Sequence, residues 1–253
     1  LQALDAPLVL PYTYGLQLGF GDLEADGSQD LLTGPGPSPV YGPQVRAFRS
    51  DLGTIAKVNF YAYGTLRYGV KVAGGAIEGG SRQVILTGPG PGAVFGPHVR
   101  AFRYNGSLAA ITKVSFYAYG TLKYGVTPAA GNLDADTYAE ILTGAPRGPV
   151  FGPHVRGFKY DNTIVTPMAK VSFYAYGTLK YGVAVASGDV DRDGSDEILT
   201  GPGPGPTFAA QVRGFNVDAG TATAIPGLSF VAFPAGTLYG AKVAAGDLDG
   251  DRR

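Results

Sequence analysis

The chain's 253 residues suffice for one compact domain or for a repeat assembly with a continuous core. Twenty basic residues balance 20 acidic ones, so no net field draws the protein towards nucleic acid or an anionic membrane. Cysteine is absent, which excludes disulfides, a thiol nucleophile and Cys-bound zinc. Gly (40) and Pro (19) approach the level of disordered chains. However, Val, Ile, Phe and Tyr recur in short runs, so the Gly and Pro read as punctuation between strands. No apolar run approaches a membrane-spanning helix, and no membrane insertion is expected. The first residues lack the layout of a signal peptide, as expected of a mature form if the protein is secreted.

Taken in chain order, the sequence divides into near-copies. A first unit, about 14–66, holds Asp22, Glu24, Asp26, Gly27 and Asp30, then Leu31-Leu-Thr-Gly-Pro-Gly-Pro, then Val45-Arg-Ala-Phe. It leads into Phe60-Tyr-Ala-Tyr-Gly-Thr-Leu-Arg-Tyr-Gly. The second, about 67–122, repeats these landmarks at Ile85, Val99 and Phe116, but its acidic stretch is reduced to Glu78. The third, about 123–179, has Asn132, Asp134, Asp136 and Glu140 before Ile141, with Thr137 where other copies have glycine, then Val155 and Phe173. The fourth, about 180–237, has Asp189, Asp191, Asp193, Gly194 and Glu197 before Ile198, then Val212 and a weaker copy from Phe230 to Gly240. A partial fifth, 238–253, ends in Asp247, Asp249 and Asp251. Thr33, Thr87, Thr143 and Thr200 are spaced by 54, 56 and 57 residues. Such a period marks a repeat architecture.

Each unit reads as four strands. In the fourth these are Tyr181–Gly188, with small residues suited to a crowded axis, then Glu197–Thr200, Gln211–Val217 and Leu228–Phe233. The prolines of Gly-Pro-Gly-Pro-Gly-Pro cannot donate to a ladder and end the second strand. The expected fold is all-β: a β-propeller of four-stranded antiparallel blades, four complete repeats and a partial fifth. Ring closure and total blade number stay open. Antiparallel order puts the acidic loops on one face with the third-to-fourth hairpins. The Gly-Pro loops share the other face with the Tyr-Gly-Thr-Leu-Lys-Tyr connections.

The acidic loops carry the most specific chemistry. Carboxylates at positions one, three, five and nine, with Gly at six for a sharp turn, can supply the six to eight oxygens that a calcium ion takes. The candidate ligands are Asp189, Asp191, Asp193 and Glu197; Asp22, Glu24, Asp26 and Asp30; Asn132, Asp134, Asp136 and Glu140; and Asp247, Asp249 and Asp251. Aspartate and glycine also favour turns. A turn alone does not account for so many like charges packed together, which repel without a cation. Octahedral magnesium suits such a loop less well. The expected role is structural, pinning the hinge between two strands of a blade.

Tyr181-Gly182, Asp189 to Gly194 and Gly201-Pro202 resemble the FG-GAP repeat of integrin α-subunit propellers, and the resemblance spans almost the whole chain. It implies a propeller with Ca2+ in its inner-strand loops, an extracellular, cell-surface or periplasmic location, and a role in adhesion or recognition. The ligand-poor second copy and the long Gly-Pro loops depart from that pattern.

Arg46, Arg100, Arg156 and Arg213 share one slot, read as a fork that reaches carbonyls or acids between blades. His98 and His154 share a slot with Gln44 and Gln211, so they read as hydrogen-bonding residues. Tyr63, Arg67 and Tyr68 recur as Tyr119, Lys123 and Tyr124, and as Tyr176, Lys180 and Tyr181. Two readings compete for them: an aromatic and basic platform for a protein or glycan, or tyrosines that cap the blade cores beside solvated lysines. No nucleophile elbow, phosphate loop or Cys nucleophile is present, and no enzyme is expected. The leading expectation is a non-catalytic calcium-binding recognition or adhesion module with a protein or glycan partner and no nucleic acid. The alternatives are a structural component of a surface assembly or filament, and a calcium-dependent polysaccharide-degrading enzyme. Oligomeric state is not legible.

Overall fold

The computed structural model describes residues 14–246, apart from 65, 66, 94, 121, 122, 149, 150, 179, 207 and 235. All its regular structure is strand, in four antiparallel sheets that run in sequence order from inside to outside. The first blade is β1 (Leu16–Gly21), β2 (Asp30–Pro35), β3 (Gln44–Phe48) and β4 (Thr54–Tyr61). The second is β5 (Val70–Gly75), β6 (Val84–Pro89), β7 (His98–Tyr104) and β8 (Leu108–Tyr117). The third is β9 (Thr127–Gly131), β10 (Glu140–Gly144), β11 (His154–Tyr160) and β12 (Val165–Thr178). The fourth is β13 (Val183–Gly188), β14 (Glu197–Pro202), β15 (Gln211–Asp218) and β16 (Thr221–Val231). They form a four-bladed β-propeller in which β1 lies beside β5, β5 beside β9, and β9 beside β13. No described helix is long and apolar enough to cross a membrane.

The Ile/Leu-Leu-Thr-Gly strands are apolar on both sides because each sits between two blades. On β6, Ile85 joins the core shared with Leu32 and Val45 of the first blade, while Leu86 joins the core shared with Ile141 of the third. On β10, Ile141 and Leu142 divide between neighbours in the same way. A strand buried on both faces reads as a continuous apolar run rather than an alternation.

The outer strands depart from the sequence expectation. β16 begins at Thr221, not Leu228, because Asp218 and Thr221 pair across a turn in which Ala219 (φ 47°) and Gly220 (φ 75°) are both left-handed. The register then jumps, from Gly214↔Ile225 to Arg213↔Ser229. Pro226 falls within this bulge, where no ladder donor is required. The same irregularity follows Arg46, Arg100 and Arg156.

The segment 239–246, expected as a fifth inner strand, follows the inner-strand course without a ladder partner among the described residues. Ala241 N donates to Pro202 O (3.1 Å), as Val183 N does to Ala145 O (3.1 Å) one blade pair earlier. A Cβ on Gly201 would meet Ala241 O at 2.5 Å, just as one on Gly34 would meet Val70 O at 2.5 Å. Only glycine lets the chains abut this closely.

Adjacent blades are clasped by the repeated polar residues. The Tyr63 hydroxyl donates to His98 O (2.7 Å) and lies 3.0 Å from Thr87 Oγ1. Tyr119 reaches Thr143 O and His154 O, and Tyr176 reaches Thr200 O and Gln211 O, at 2.8 Å each. Burial pushes the Tyr176 phenol up to about 12. These three tyrosines are thus inter-blade bolts, and their placement answers to the core-capping reading instead of the platform reading. Tyr176→Phe, which leaves buried acceptors without a donor, should cost about 1–3 kcal/mol in urea unfolding. A cost near zero would contradict the bolt.

The arginine slot works in parallel. Arg100, Arg156 and Arg213 donate to the carbonyls of Ala62, Ala118 and Ala175 on the preceding blade. His98 and His154 lie 2.9 Å from Ser115 Oγ and Ser172 Oγ, and Gln211 donates to Ser229 Oγ from the same slot. Both slots therefore hold the hydrogen-bonding roles expected of them.

Candidate metal centre

Each acidic loop joins an inner strand to its second strand, and the end of the third strand lies beside it, as the strand order requires. The fourth loop, between β13 and β14, is wound on its own carboxylates. Asp189 accepts from Arg192 N (2.6 Å) and Gly194 N (3.2 Å), Asp191 from Asp193 N (3.2 Å), and Asp193 from Ser195 N (2.8 Å). Arg192 (φ 69°) and Gly194 (φ 93°) take left-handed conformations to turn the chain this tightly. Glu197, the first residue of β14, is fully buried. Its Oε2 accepts from Val190 N (2.8 Å), but its Oε1 has no hydrogen-bond partner. Carboxylate oxygens of Asp189, Asp191 and Glu197 gather within 4.8 Å of one another. Burial, then repulsion from Asp191, Asp193 and Asp189, pushes the Glu197 carboxyl up. A buried anionic oxygen with no donor, facing two more carboxylates, fits a hard cation.

The other loops differ through one residue, the one that directly follows Val-Arg-x-Phe on the third strand. In the first blade Arg49 forks onto Glu24, Nε to Oε2 at 2.5 Å and Nη2 to Oε1 at 2.8 Å. In the second, Arg103 holds Glu78 in the same bidentate way. In the third, Lys159 Nζ bonds Asp134 and lies 3.7 Å from both Asp136 Oδ2 and Glu140 Oε1. Those three carboxylates are the second cluster whose oxygens fall within 4.8 Å of one another. The ammonium of Lys159 thus stands among the groups that a metal would use. In the fourth blade the position is Asn216, which carries no charge.

The first loop is arranged differently. Asp22 turns onto Asp26 N and Gly27 N, Asp30 onto Leu23 N, and Glu24 onto Arg49. Among the described residues these four acids form no three-membered cluster. In the third loop Glu140 is buried and held up to about 7, chiefly by that burial. Asn132 Oδ1 is also buried without a partner. Asp193 stays exposed beside the cluster of its own loop. Asp247, Asp249 and Asp251 lie outside the described residues. Asp196, which sequence reasoning passed over, joins the third and fourth loops: Asn132 N donates to its carboxylate (2.9 Å) and its own N–H to Asn132 O (2.6 Å).

On the opposite face, Tyr68, Tyr124 and Tyr181 are half-buried, edge-on to Phe95, Phe151 and Phe208. Arg67, Lys123 and Lys180 are exposed, with Arg67 donating to Pro39 O (3.0 Å).

No family model matches the chain, and no curated protein matches it. Among solved structures it is similar to the rhamnogalacturonan lyase YesW, with a TM-score of 0.51 at 15% identity over 82% of this chain. The chain spans 41% of the length of that lyase chain, and at this identity the likeness is one of fold.

Proposed function

We propose that the protein is a non-catalytic, calcium-binding propeller of the FG-GAP type that serves recognition outside the cytoplasm. The observation that carries the metal assignment is Glu197 Oε1, buried and without a donor beside Asp189 and Asp191. Asp193 completes the acidic set, and uncharged Asn216 stands where the other three blades place Arg49, Arg103 and Lys159. The ion's contribution is to neutralise the loop and fix the hinge between β13 and β14. The partner we assign to the Gly-Pro face is a protein or glycan. Arg67, Lys123 and Lys180 stay exposed there, while Tyr63, Tyr119 and Tyr176 serve the blade joints.

Calcium at a hundredfold excess over its Kd should stabilise the fold by about 2.7 kcal/mol, or raise Tm by about 5–10 °C. The check is a melt of metal-stripped protein with calcium and with chelator, repeated on Glu197→Gln, which should lose the shift. Identical melts with and without calcium would count against the assignment.

A further inference from the structure

A second charged site lies on the axis, at the far end of the inner strands from the acidic loops. The inner strands line a cavity of about 840 Å3, bordered by Pro202, Gly203 and Pro204 of a Gly-Pro loop and lined by no acidic residue among those described. Three cations reach it: Lys71, Arg147 and Lys242.

Their places in the repeat mark them as additions to the framework. Lys71 is the second residue of its inner strand, opposite Gly88, where the first, third and fourth blades carry Gln17, Thr127 and Ala184. Lys242 holds the equivalent place on the segment that continues past the fourth blade. Arg147 stands in the third blade's Gly-Pro loop where the others carry Pro37, Pro91 and Pro204. The strands and loops therefore form without these charges, and gathering like charges in one cavity opposes folding. Lys71 Nζ donates to Thr127 Oγ1 (2.6 Å) on the adjacent inner strand β9, which holds the ammonium at the channel wall. Burial, then the fields of Arg147 and Lys242, pushes its ammonium down to about 7. No ion pair to any of the three is present among the described residues. The remaining wall is mostly Gly, Ala, Val and Pro, with apolar Leu16, Leu18 and Phe20 and uncharged polar Gln17, Gln29 and Ser187, and the volume is that of a ligand site rather than of a single water.

We propose that this axial channel is an oxyanion site, in which Lys71, Arg147 and Lys242 hold a carboxylate or sulfate group of a ligand that enters from the Gly-Pro face. The guanidinium of Arg147 offers a planar fork to such a group, and the two ammonium groups add point charges deeper along the strands. The site is independent of the calcium loops, which lie at the other strand ends.

The test is isothermal titration in EDTA, so that calcium takes no part, with sucrose octasulfate, a hyaluronan tetrasaccharide and neutral maltotetraose. The expected result is one-to-one binding of at least one anion and none of maltotetraose, and the arm that binds tells sulfate from carboxylate. Lys71→Gln and Arg147→Pro install residues that other blades carry at these places. Each should weaken binding by about tenfold or more. Lys113→Gln, on an exposed outer strand, should change it less than about twofold. Melts of each variant separate lost binding from lost fold. The proposal is overturned if neither anion binds, if the folded Lys71→Gln, Arg147→Pro double variant binds as tightly as the parent, or if Lys113→Gln loses as much.

Discussion

Replacing Lys159 with asparagine should raise the calcium stoichiometry of the chain by one ion. Lys159 Nζ sits among Asp134, Asp136 and Glu140, the carboxylates that would otherwise face a metal. Asparagine is what the fourth blade carries at that place, as Asn216. The ion pairs themselves contribute little stability, about 1 kcal/mol or less, because Lys159 is 43% exposed. Their effect is to decide what occupies the loop. Without the ammonium, like charges are left together around buried Glu140. The metal-free variant should therefore melt lower than the parent, and calcium should more than restore it. The reciprocal change, Asn216→Lys, places an ammonium beside Asp191 and should abolish binding in the fourth loop. Equilibrium dialysis with radioactive calcium reads both. Unchanged stoichiometry in either variant would show that the third-strand cation is a bystander.

The second large effect is expected at the joint between blades. Gly125 has φ +73°, and a Cβ there would lie 1.9 Å from Pro89 O, a backbone atom that cannot move aside. Its N–H donates to Phe95 O (3.0 Å), and Gly69, Gly182 and Gly240 make the same close approach to the preceding blade. Gly125→Ala combines left-handed strain with overpacking and should cost about 2–5 kcal/mol in urea unfolding. Gly120→Ala has a similar φ (+69°) but open space around it, and should cost about 1–2 kcal/mol. Equal losses in the two would remove inter-blade contact from the explanation.

Much of this architecture is legible in the sequence because each unit repeats the same chemistry at the same place. Ile85-Leu86 and Ile141-Leu142 announce strands buried on both faces, and the Gly-Pro runs mark where those strands end. The long outer strands are less legible. In the fourth blade the first half of β16 is mostly short side chains and largely exposed, with Pro226 following, so period and composition hide a pairing set by the left-handed turn at Ala219-Gly220. The acidic loops could be located, but their occupants could not be read, because a loop's own residues do not say which cation it meets. That information sits 25 residues downstream, at Arg49, Arg103, Lys159 and Asn216. The signal is present in the repeat, as the residue after Val-Arg-x-Phe, yet it acquires meaning only once β3, β7, β11 and β15 are placed beside their loops. The aromatic connections mislead for a related reason. Exposed and buried tyrosines alternate in one motif, so Tyr61 and Tyr117 face solvent while Tyr63 and Tyr119 cross into the next blade.

The most direct trial of the account is a crystal structure grown in calcium, with anomalous data to locate the ion. It should place one calcium against Glu197 Oε1, in contact with Asp189 and Asp191, and none where Lys159 meets Asp134. A fourth loop without an ion, or an ion that displaces Lys159 while the fourth loop is bare, would contradict it.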